Sequence, residues 1–284
     1  MRIAIIADIH GNVPALEAVL ADIERQDVDR LVVAGDLINR GPQSLAVLER
    51  LVPMELPTIL GNHEDLISRF IRGDIDPQWE HDPWWDATRF TAREVGPAWL
   101  GYMASLPFDL RIEEPGLTAV RVVHGSPRHF MEGIGPLTPP ETLDQMLATV
   151  PEPVLICAHT HFAMIRQHRD TMIVNAGAVG LPFNHDTRAQ YLLLDLDGNR
   201  WRPTLQRVEY DRAATEAAYE HSGFLAAGGT SAWLLREELR TARPYLVPFW
   251  RYCSDRNVPL DGTSLELFLQ EHVAGGNRLK VEGS

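Results

Sequence analysis

Five short polar clusters in this chain contain the residue types that bind divalent transition metals. Each cluster follows an apolar run, and they are Asp8-Ile9-His10, Gly35-Asp36, Gly61-Asn62-His63-Glu64, His124-Gly125 and His159-Thr160-His161. Imidazole nitrogens and carboxylate oxygens are ligands that such ions prefer. Two ions side by side can activate a water molecule and stabilise the oxygens of a phosphoryl group. Together the clusters predict a two-metal site suited to hydrolysing a phosphate ester.

Each cluster taken alone is a weak sign of a metal site. An aspartate after a glycine, as at Asp36, usually marks a turn, and the pair His159 and His161 is compatible with an ordinary exposed alternation. Asp8 and His10 would point to one side of the chain if it stays extended beyond its strand, which suits the chelation of a single ion. The clusters are informative because they recur at strand ends as one ordered set.

Apolar runs of strand length alternate with helical patterns in the first part of the chain. The strand-like runs are 3–7, 31–34 and 58–60, and the helical patterns are 14–25, 42–51 and a segment that begins at Glu64. This βαβαβ order predicts parallel strands covered by helices. Binding sites in such sheets gather at the carboxyl ends of the strands, which is where Asp8, Asp36 and Asn62 lie.

The later part of the chain is first rich in strands and then helical. Between residues 117 and 207 the clearest strand-like runs are 120–123, 154–157, 172–174 and 191–194. Asp197-Gly198 is a hairpin turn signal. After about residue 210 the pattern is helical, with a helix predicted at 231–243 that Pro244 ends.

The segment from about residue 74 to 107 interrupts the βα order. It has a helical pattern and carries Trp79, Trp84, Trp85 and Trp99. One interpretation is a small satellite core built on these rings. The other is a cap over the site that helps to select the leaving group. The sequence leaves both open.

The composition excludes several classes of protein. The chain has 284 residues, of which 45% are hydrophobic and 23% charged, as in an ordinary globular protein. Its formal net charge of -13 argues against binding to a nucleic-acid backbone, although bound cations would still allow a phosphate substrate. No apolar stretch reaches the roughly 20 residues of a membrane span. Because Cys157 and Cys253 are the only cysteines, no disulfide framework is expected, and we predict a cytoplasmic location.

The five motifs, in this order and approximate spacing over about residues 1–200, resemble those of the calcineurin-like metallophosphoesterases. The resemblance implies an α/β fold, a four-layered αββα sandwich with a dinuclear metal site at one edge. We therefore expect a metallophosphoesterase core at 1–208 that contains the cap-like helical insertion at 74–107. Residues 209–284 are expected to form a helical C-terminal extension that packs on the core.

The resemblance also implies a role for each motif residue. The implied ligands are Asp8, His10 and His161 for the first ion, Asn62, His124 and His159 for the second, and Asp36 as the bridge between both. His63 would stay off the metals and protonate or stabilise the leaving oxygen. Arg40 would clamp the phosphate with two parallel hydrogen bonds, which its planar group suits.

The implied cofactors are two divalent transition metal ions. Manganese is the first choice, and iron, zinc, cobalt and nickel are compatible with the same ligands. A hydroxide that both ions share would attack phosphorus directly. No covalent enzyme intermediate is therefore expected.

Two parts of the sequence point to different branches of the family. Residues 124–128 and 175–180 look like the bacterial small phosphodiesterases, whereas residues 35–41 look like the protein phosphatases and diadenosine tetraphosphatases. Asn39 stands where the phosphatase branch has an aspartate that orients the catalytic histidine, so that histidine is expected to be tuned differently here. Phe183 stands where the bacterial branch usually has an arginine, which argues against a phosphate contact at that position.

We predict a metal-dependent phosphoesterase for a small, nucleotide-like phosphomonoester or phosphodiester. The alternative is a serine/threonine phosphoprotein phosphatase, which requires an open groove beside the metals that an insertion at 74–107 disfavours. A non-catalytic scaffold with the same fold would be expected to lose a ligand or His63, yet every position of the set is filled. The preference between mono- and diesters and the oligomeric state stay open.

Overall fold

The computed structural model describes residues 1–113 and 115–271, and their strands form two sheets. In chain order the strands are β1 (Arg2–Ile6), β2 (Arg30–Val33), β3 (Asp109–Ile112), β4 (Val120–Val123), β5 (Val154–Cys157), β6 (Met164–His168), β7 (Thr171–Asn175), β8 (Ala189–Asp197) and β9 (Arg200–Val208). One sheet has the order β2-β1-β8-β9 and the other β3-β4-β5-β7-β6. Strand β1 is parallel to β2 and antiparallel to β8, while β4, β5 and β7 are parallel to one another.

Ten α-helices lie within the same described residues. They are α1 (Val13–Glu24), α2 (Ser44–Leu51), α3 (Asn62–Arg72), α4 (Asp86–Val95), α5 (Leu100–Ser105), α6 (Pro140–Leu147), α7 (Arg212–His221), α8 (Phe224–Thr241), α9 (Leu246–Arg256) and α10 (Gly262–Leu269). Asn12 and Asp211 cap α1 and α7, because each side chain accepts a hydrogen bond from a free backbone N–H of the first turn. Of these helices, none has the length and apolar character needed to cross a membrane.

Strand β1 shows why the sheets and helices stack in layers. Successive side chains of a strand point to opposite faces, and the last four residues of β1 are fully buried. Ile3 and Ile5 lie in a core with Val122 of the second sheet. Ala4 and Ile6 lie in a different core, with residues of α1 and α2. The strand is therefore covered by a sheet on one face and by helices on the other.

Helix α6 supplies the fourth layer. Its Leu143 and Met146 pack with Leu155 and Ile173 on the outer face of the second sheet. The neighbouring Ile156 instead faces the core between the two sheets, so β5 repeats the alternation of β1. The four-layered αββα sandwich expected from the sequence is confirmed.

One expected detail of the fold is wrong, and two others are extended by the structure. The run at 58–60 forms a single parallel bridge between Thr58 and Val33 rather than a strand. Strands β1 and β2 are parallel as predicted, and β8 makes the sheet mixed because it runs antiparallel beside β1. The helix predicted at 231–243 is present as the second segment of α8, after a break at Gly229 where φ is 51° and ψ is −134°, and another helical segment precedes it from Phe224. Glycine adopts this conformation at little cost, so it separates the two helical segments.

A further apolar core joins the C-terminal helices to the insertion. Phe224, Phe249 and Phe268, from α8, α9 and α10, lie in one cluster with Ala87 of α4. The insertion and the extension therefore pack on each other. Residues 272–284, the end of the predicted extension, lie outside the described residues, and the boundary proposed near residue 208 stays a prediction.

Candidate metal centre

The candidate ligands lie in loops at the carboxyl ends of strands from both sheets. Asp8 and Asp36 follow β1 and β2, whereas His124 and His159 follow β4 and β5. Both strand pairs are parallel and the two sheets are stacked, so the four loops meet at one edge. Asn62, at the start of α3, reaches the same edge. The structure thus brings together residues from all five sequence motifs.

Left-handed backbone conformations direct several of these side chains. Asp8 and His10 have φ angles of 52° and 49°, so the chain does not stay extended beyond β1. His159 and His161 have φ angles of 65° and 59°. Residues other than glycine rarely adopt such angles, and those that do cluster at functional sites. Of the 13 non-glycine residues with positive φ in the described chain, seven belong to this site.

Glu64 holds the loop that carries Asp36. Its buried carboxylate accepts hydrogen bonds from the backbone nitrogens of Asp36 (2.9 Å), Leu37 (2.8 Å) and Gly61 (3.0 Å). Oδ1 of Asp36 in turn accepts a hydrogen bond from the His63 backbone nitrogen at 2.9 Å, which leaves Oδ2 for the centre of the site. The sequence motif contains Glu64, but its role became visible only in the structure.

Asp8, His10 and His161 form the first group of potential ligands. Nε2 of His10 and Nε2 of His161 are 3.1 Å apart, and Asp8 Oδ1 lies 3.9 and 3.6 Å from them. Nδ1 of each ring faces a backbone carbonyl, Ile38 at 3.2 Å and Leu181 at 2.5 Å. Nδ1 therefore carries the proton, and the two Nε2 lone pairs point into the site.

Asp36, His124 and His159 form the second group, and Asn62 joins them. His124 Nε2 lies 3.2 Å from Asp36 Oδ2 and 3.0 Å from Asn62 Oδ1. Asn62 Oδ1 also lies 2.8 Å from His159 Nδ1. Asp36 Oδ2 is in addition 3.8 Å from His10 Nε2, so this one oxygen is close to both groups.

The chemistry of these atoms fits divalent cations. Asp8 Oδ1 is buried and has no hydrogen-bond donor among the described residues, which is costly for a carboxylate oxygen. The facing lone pairs of His10 and His161 repel each other unless a proton or a cation lies between them. A divalent ion would satisfy all three atoms, and carboxylate and imidazole ligands suit manganese, iron, zinc, cobalt or nickel.

The buried acids and bases alter one another's pKa values. Burial raises the pKa of Asp8 well above its ordinary value. Burial also opposes ionisation of Asp36, but the His124 and His63 imidazoles outweigh it and hold the pKa of Asp36 well below its ordinary value. Burial lowers the pKa of His124, but the Asp36 carboxylate outweighs this and raises it to about 10. Because ligands must lose their protons, metal binding here competes with protonation.

His63 and Arg40 lie next to Asp36. Arg40 Nε is 3.1 Å from His63 Nε2, which is 3.9 Å from Asp36 Oδ2. On the other side of the ring, the Asn39 amide lies 2.8 Å from His63 Nδ1. Neutral imidazole has one acceptor nitrogen, so the Asn39 oxygen must face Nδ1–H if Nε2 accepts from Arg40. Burial lowers the pKa of His63 to about 3, and the ring is neutral at pH 7.

His63 also lies within ligand distance of His10 and Asp36. Its Nε2, however, already faces the guanidinium group of Arg40. This cation would repel a metal ion bound at the same atom. The arrangement therefore favours a role for His63 outside the metal ligands.

Three residues that the sequence did not mark approach the Asn39-Arg40 segment. They are Glu238 of α8, Tyr219 of α7 and Thr88 of α4. Each is distant in sequence from the five motifs, and none belongs to a recognisable pattern. Only the packing of the extension and the insertion against the core brings them there.

Residues 1–199 match the family model described as the calcineurin-like phosphoesterase superfamily domain. The match covers more than half of the chain, and the chain belongs to this superfamily, as the five motifs indicated. The family is metal-dependent, in agreement with the groups of carboxylate and imidazole side chains that could bind metal.

Three known proteins illustrate what the chain is similar to. A metallophosphoesterase from Sphaerobacter thermophilus has a TM-score of 0.62 and 30% identity, covering 80% of this chain and 100% of that one. Phosphodiesterase YfcE from Escherichia coli is 26% identical over 197 residues, which are 69% of this chain and 89% of that protein. A symmetrical bis(5'-nucleosyl)-tetraphosphatase from Hamiltonella defensa is 44% identical over 63 residues, 21% and 23% of the two chains. These similarities support a hydrolase that acts on phosphate esters.

Proposed function

We propose that this protein is a dinuclear metal-dependent phosphoesterase that hydrolyses a small, nucleotide-like phosphomonoester or phosphodiester. The observation that carries the proposal is the position of the Asp36 carboxylate. Its Oδ2 lies 3.2 Å from His124 Nε2 in one ligand group and 3.8 Å from His10 Nε2 in the other. An oxygen atom close to both groups supports two ions held side by side.

The proposed ligands divide between two ions, with manganese as our first choice of metal. They are Asp8, His10 and His161 for one ion, Asn62, His124 and His159 for the other, and Asp36 for both. Two divalent ions in these positions supply a nucleophilic water at neutral pH and neutralise charge on the phosphoryl oxygens. The cytoplasmic location stays a prediction from the composition.

Arg40 and His63 would act on the substrate itself. The side chain of Arg40 is 17% exposed, and its planar group matches the geometry of a phosphate. The neutral ring of His63 becomes easier to protonate when an anionic phosphate lies beside it. When the Arg40 Nε–H donates to the phosphate instead of to the ring, His63 can hold a proton at Nε2 and pass it to the leaving oxygen.

A small substrate is favoured by the surroundings of this pair. Glu238 of α8 lies 3.4 Å from Arg40, and Thr88 of α4 lies 3.5 Å from Asn39, so helices border the site. The names of the similar proteins include a phosphodiesterase and a dinucleoside tetraphosphatase. A phosphoprotein phosphatase requires an open groove at this place, and we rank it second. A non-catalytic scaffold would not need the complete ligand set.

Metal removal and re-addition tests the proposal. The protein is stripped with a chelator, manganese is returned, and hydrolysis of p-nitrophenyl phosphate, bis-p-nitrophenyl phosphate and diadenosine tetraphosphate is measured. We expect manganese to restore turnover, and the ranking of the three compounds to give the ester preference. Asp36→Asn should stay inactive, whereas Asp195→Asn, beside Arg2 at the opposite end of β1, should respond like the wild type. No turnover on any compound by protein that holds two metals would overturn the proposal.

A further inference from the structure

Glu238 is a buried carboxylate of the C-terminal extension that faces the candidate site. It is 1% exposed, and its Oε1 accepts hydrogen bonds from the backbone nitrogens of Tyr245 and Leu246, both at 2.8 Å, at the start of α9. Its Oε2 lies 3.4 Å from Arg40 Nη1. A neutral acceptor is enough to cap a helix, whereas a buried negative charge requires a cationic partner. Burial raises the pKa of Glu238, and the Arg40 guanidinium opposes this rise. Arg40, which lies 3.4 Å away, is therefore the partner that favours the charged form of Glu238.

Tyr219 of α7 holds the backbone of the same arginine. Its hydroxyl donates a hydrogen bond to the Arg40 carbonyl at 3.0 Å, and its ring is buried edge-to-face against Phe224. Arg40 has a φ angle of 64°, which a residue with a side chain keeps only when its surroundings enforce it. The extension thus restrains both the backbone and the side chain of Arg40.

The restrained guanidinium group is the one that contacts the candidate acid. Nη1 of Arg40 faces Glu238, while Nε lies 3.1 Å from His63 Nε2. A planar group held at two of its nitrogens has one orientation. Arg40 therefore loses little rotamer freedom when it binds a phosphate, which favours affinity.

We propose that Glu238 and Tyr219 are positioning residues that hold Arg40 in the orientation in which it binds the substrate phosphate beside His63. The inference rests on the proposed function, because Arg40 and His63 take their roles from it. It gives the C-terminal extension a part in substrate binding, although the family match ends at residue 199. Without Glu238, the long side chain of Arg40 is free to leave this orientation.

Two glutamate variants separate positioning from simple stabilisation. Glu238→Gln keeps an oxygen for the backbone of α9 but removes the charge that faces Arg40. The matched control is Glu216→Gln, which breaks a 2.7 Å ion pair with Arg240 inside the same extension. We expect Glu238→Gln to weaken orthophosphate binding by the metal-loaded protein and to lower kcat/KM by about 100-fold, as misplacement of a substrate-binding group does. Glu216→Gln should leave both values unchanged.

A double-mutant cycle shows whether Glu238 acts through Arg40. In an Arg40→Gln background, Glu238→Gln should cause no further loss of kcat/KM, because the two residues form one unit. A second loss of similar size would overturn the proposal. Tyr219→Phe removes only a hydroxyl group, and it replaces Glu238→Gln as the test variant if Glu238→Gln fails to fold. Its smaller loss should likewise disappear in the Arg40→Gln background.

A spectroscopic measurement keeps this inference separate from the proposed function. In protein labelled with 15N-arginine, the Nε–H signal of Arg40 is identified by its absence in Arg40→Lys. We expect it to exchange slowly with solvent in the wild type and in Glu216→Gln, and fast in Glu238→Gln. Unchanged exchange in Glu238→Gln would overturn the positioning role. If the metal-loaded wild type neither hydrolyses an ester nor binds orthophosphate, the proposed function fails, while the exchange rates still decide whether Glu238 holds Arg40.

Discussion

Replacing Asn39 by aspartate tests whether His63 works as an acid. The amide lies 2.8 Å from His63 Nδ1, and both side chains are buried. A carboxylate there places a negative charge about 4 Å from the charge of the protonated ring, which is worth about 4 kcal/mol at an effective dielectric constant of about 20. At 1.36 kcal/mol per pKa unit, this raises the pKa of His63 by about 3 from its value of about 3. Desolvation of the new carboxylate offsets part of the gain, so we expect a rise of about 1 to 3.

The sign of the effect follows from the role of an acid, which works only while it is protonated. A higher pKa keeps His63 protonated to higher pH, so Asn39→Asp should move the alkaline decline of kcat/KM upward by about 1 to 3 pH units. The assay measures kcat/KM against pH with an ester whose alcohol is a poor leaving group, such as phenyl phosphate. The control is Asn39→Asp in a His63→Ala background, where no displacement is expected. An unmoved profile in the single variant, or equal displacement with and without His63, would refute the reasoning.

Four further predictions concern the metals, the acid and the loop between them. Asp36→Asn should lower activity by about 100-fold or more and reduce the metal content of both groups, measured by mass spectrometry; full metal content would contradict the bridging role. His63→Ala should keep its metals but lose about 10²- to 10⁴-fold in turnover, most of all for poor leaving groups. An equal loss for good and poor leaving groups would count against His63 as the acid. Burial raises the pKa of Glu64 to about 7, so above that pH Glu64→Gln weakens charge-assisted hydrogen bonds to the loop of Asp36 and should cost about 1.5–3 kcal/mol of stability in urea unfolding. The exposed Glu17→Gln should change stability little. Chelation should lower Tm, and manganese at about 100 times its Kd should restore about 2.7 kcal/mol; a Tm insensitive to both would speak against a folded-state metal site.

The strands that could be predicted from the sequence are those buried on both faces. The runs at 3–7 and 154–157 are continuously apolar because layers cover them on both sides, and such a run is visible without any alternation. The sequence pattern did not predict the three strands β3, β6 and β9, which all lie at sheet edges. Edge strands carry charged residues, and in β9 also Pro203, so their apolar signal is weak.

The candidate ligands were predictable as residue types, but their orientation was not. Asp8 and His10 leave the extended conformation because their backbone nitrogens bond to Gly35 and Asp36 carbonyls in the loop after β2, at 3.2 Å each. Those bonds join segments that are more than 25 residues apart in the chain. A local sequence pattern therefore cannot predict them. The same holds for Glu64, whose carboxylate serves a loop of another strand.

The surroundings of Arg40 suggest where substrate preference arises in this chain. The ligand motifs lie within residues 1–199, which match the family model, so the metal chemistry proposed here is the part shared with the family. Tyr219 and Glu238, which hold Arg40, lie beyond that match. Metal ions held by these ligands can act on any phosphoryl group. The orientation of an arginine that binds the phosphate with two hydrogen bonds, in contrast, fixes how the rest of the ester must lie. Two family members with the same ligands can therefore prefer different esters when different elements hold the arginine, and in this protein the C-terminal extension is that element.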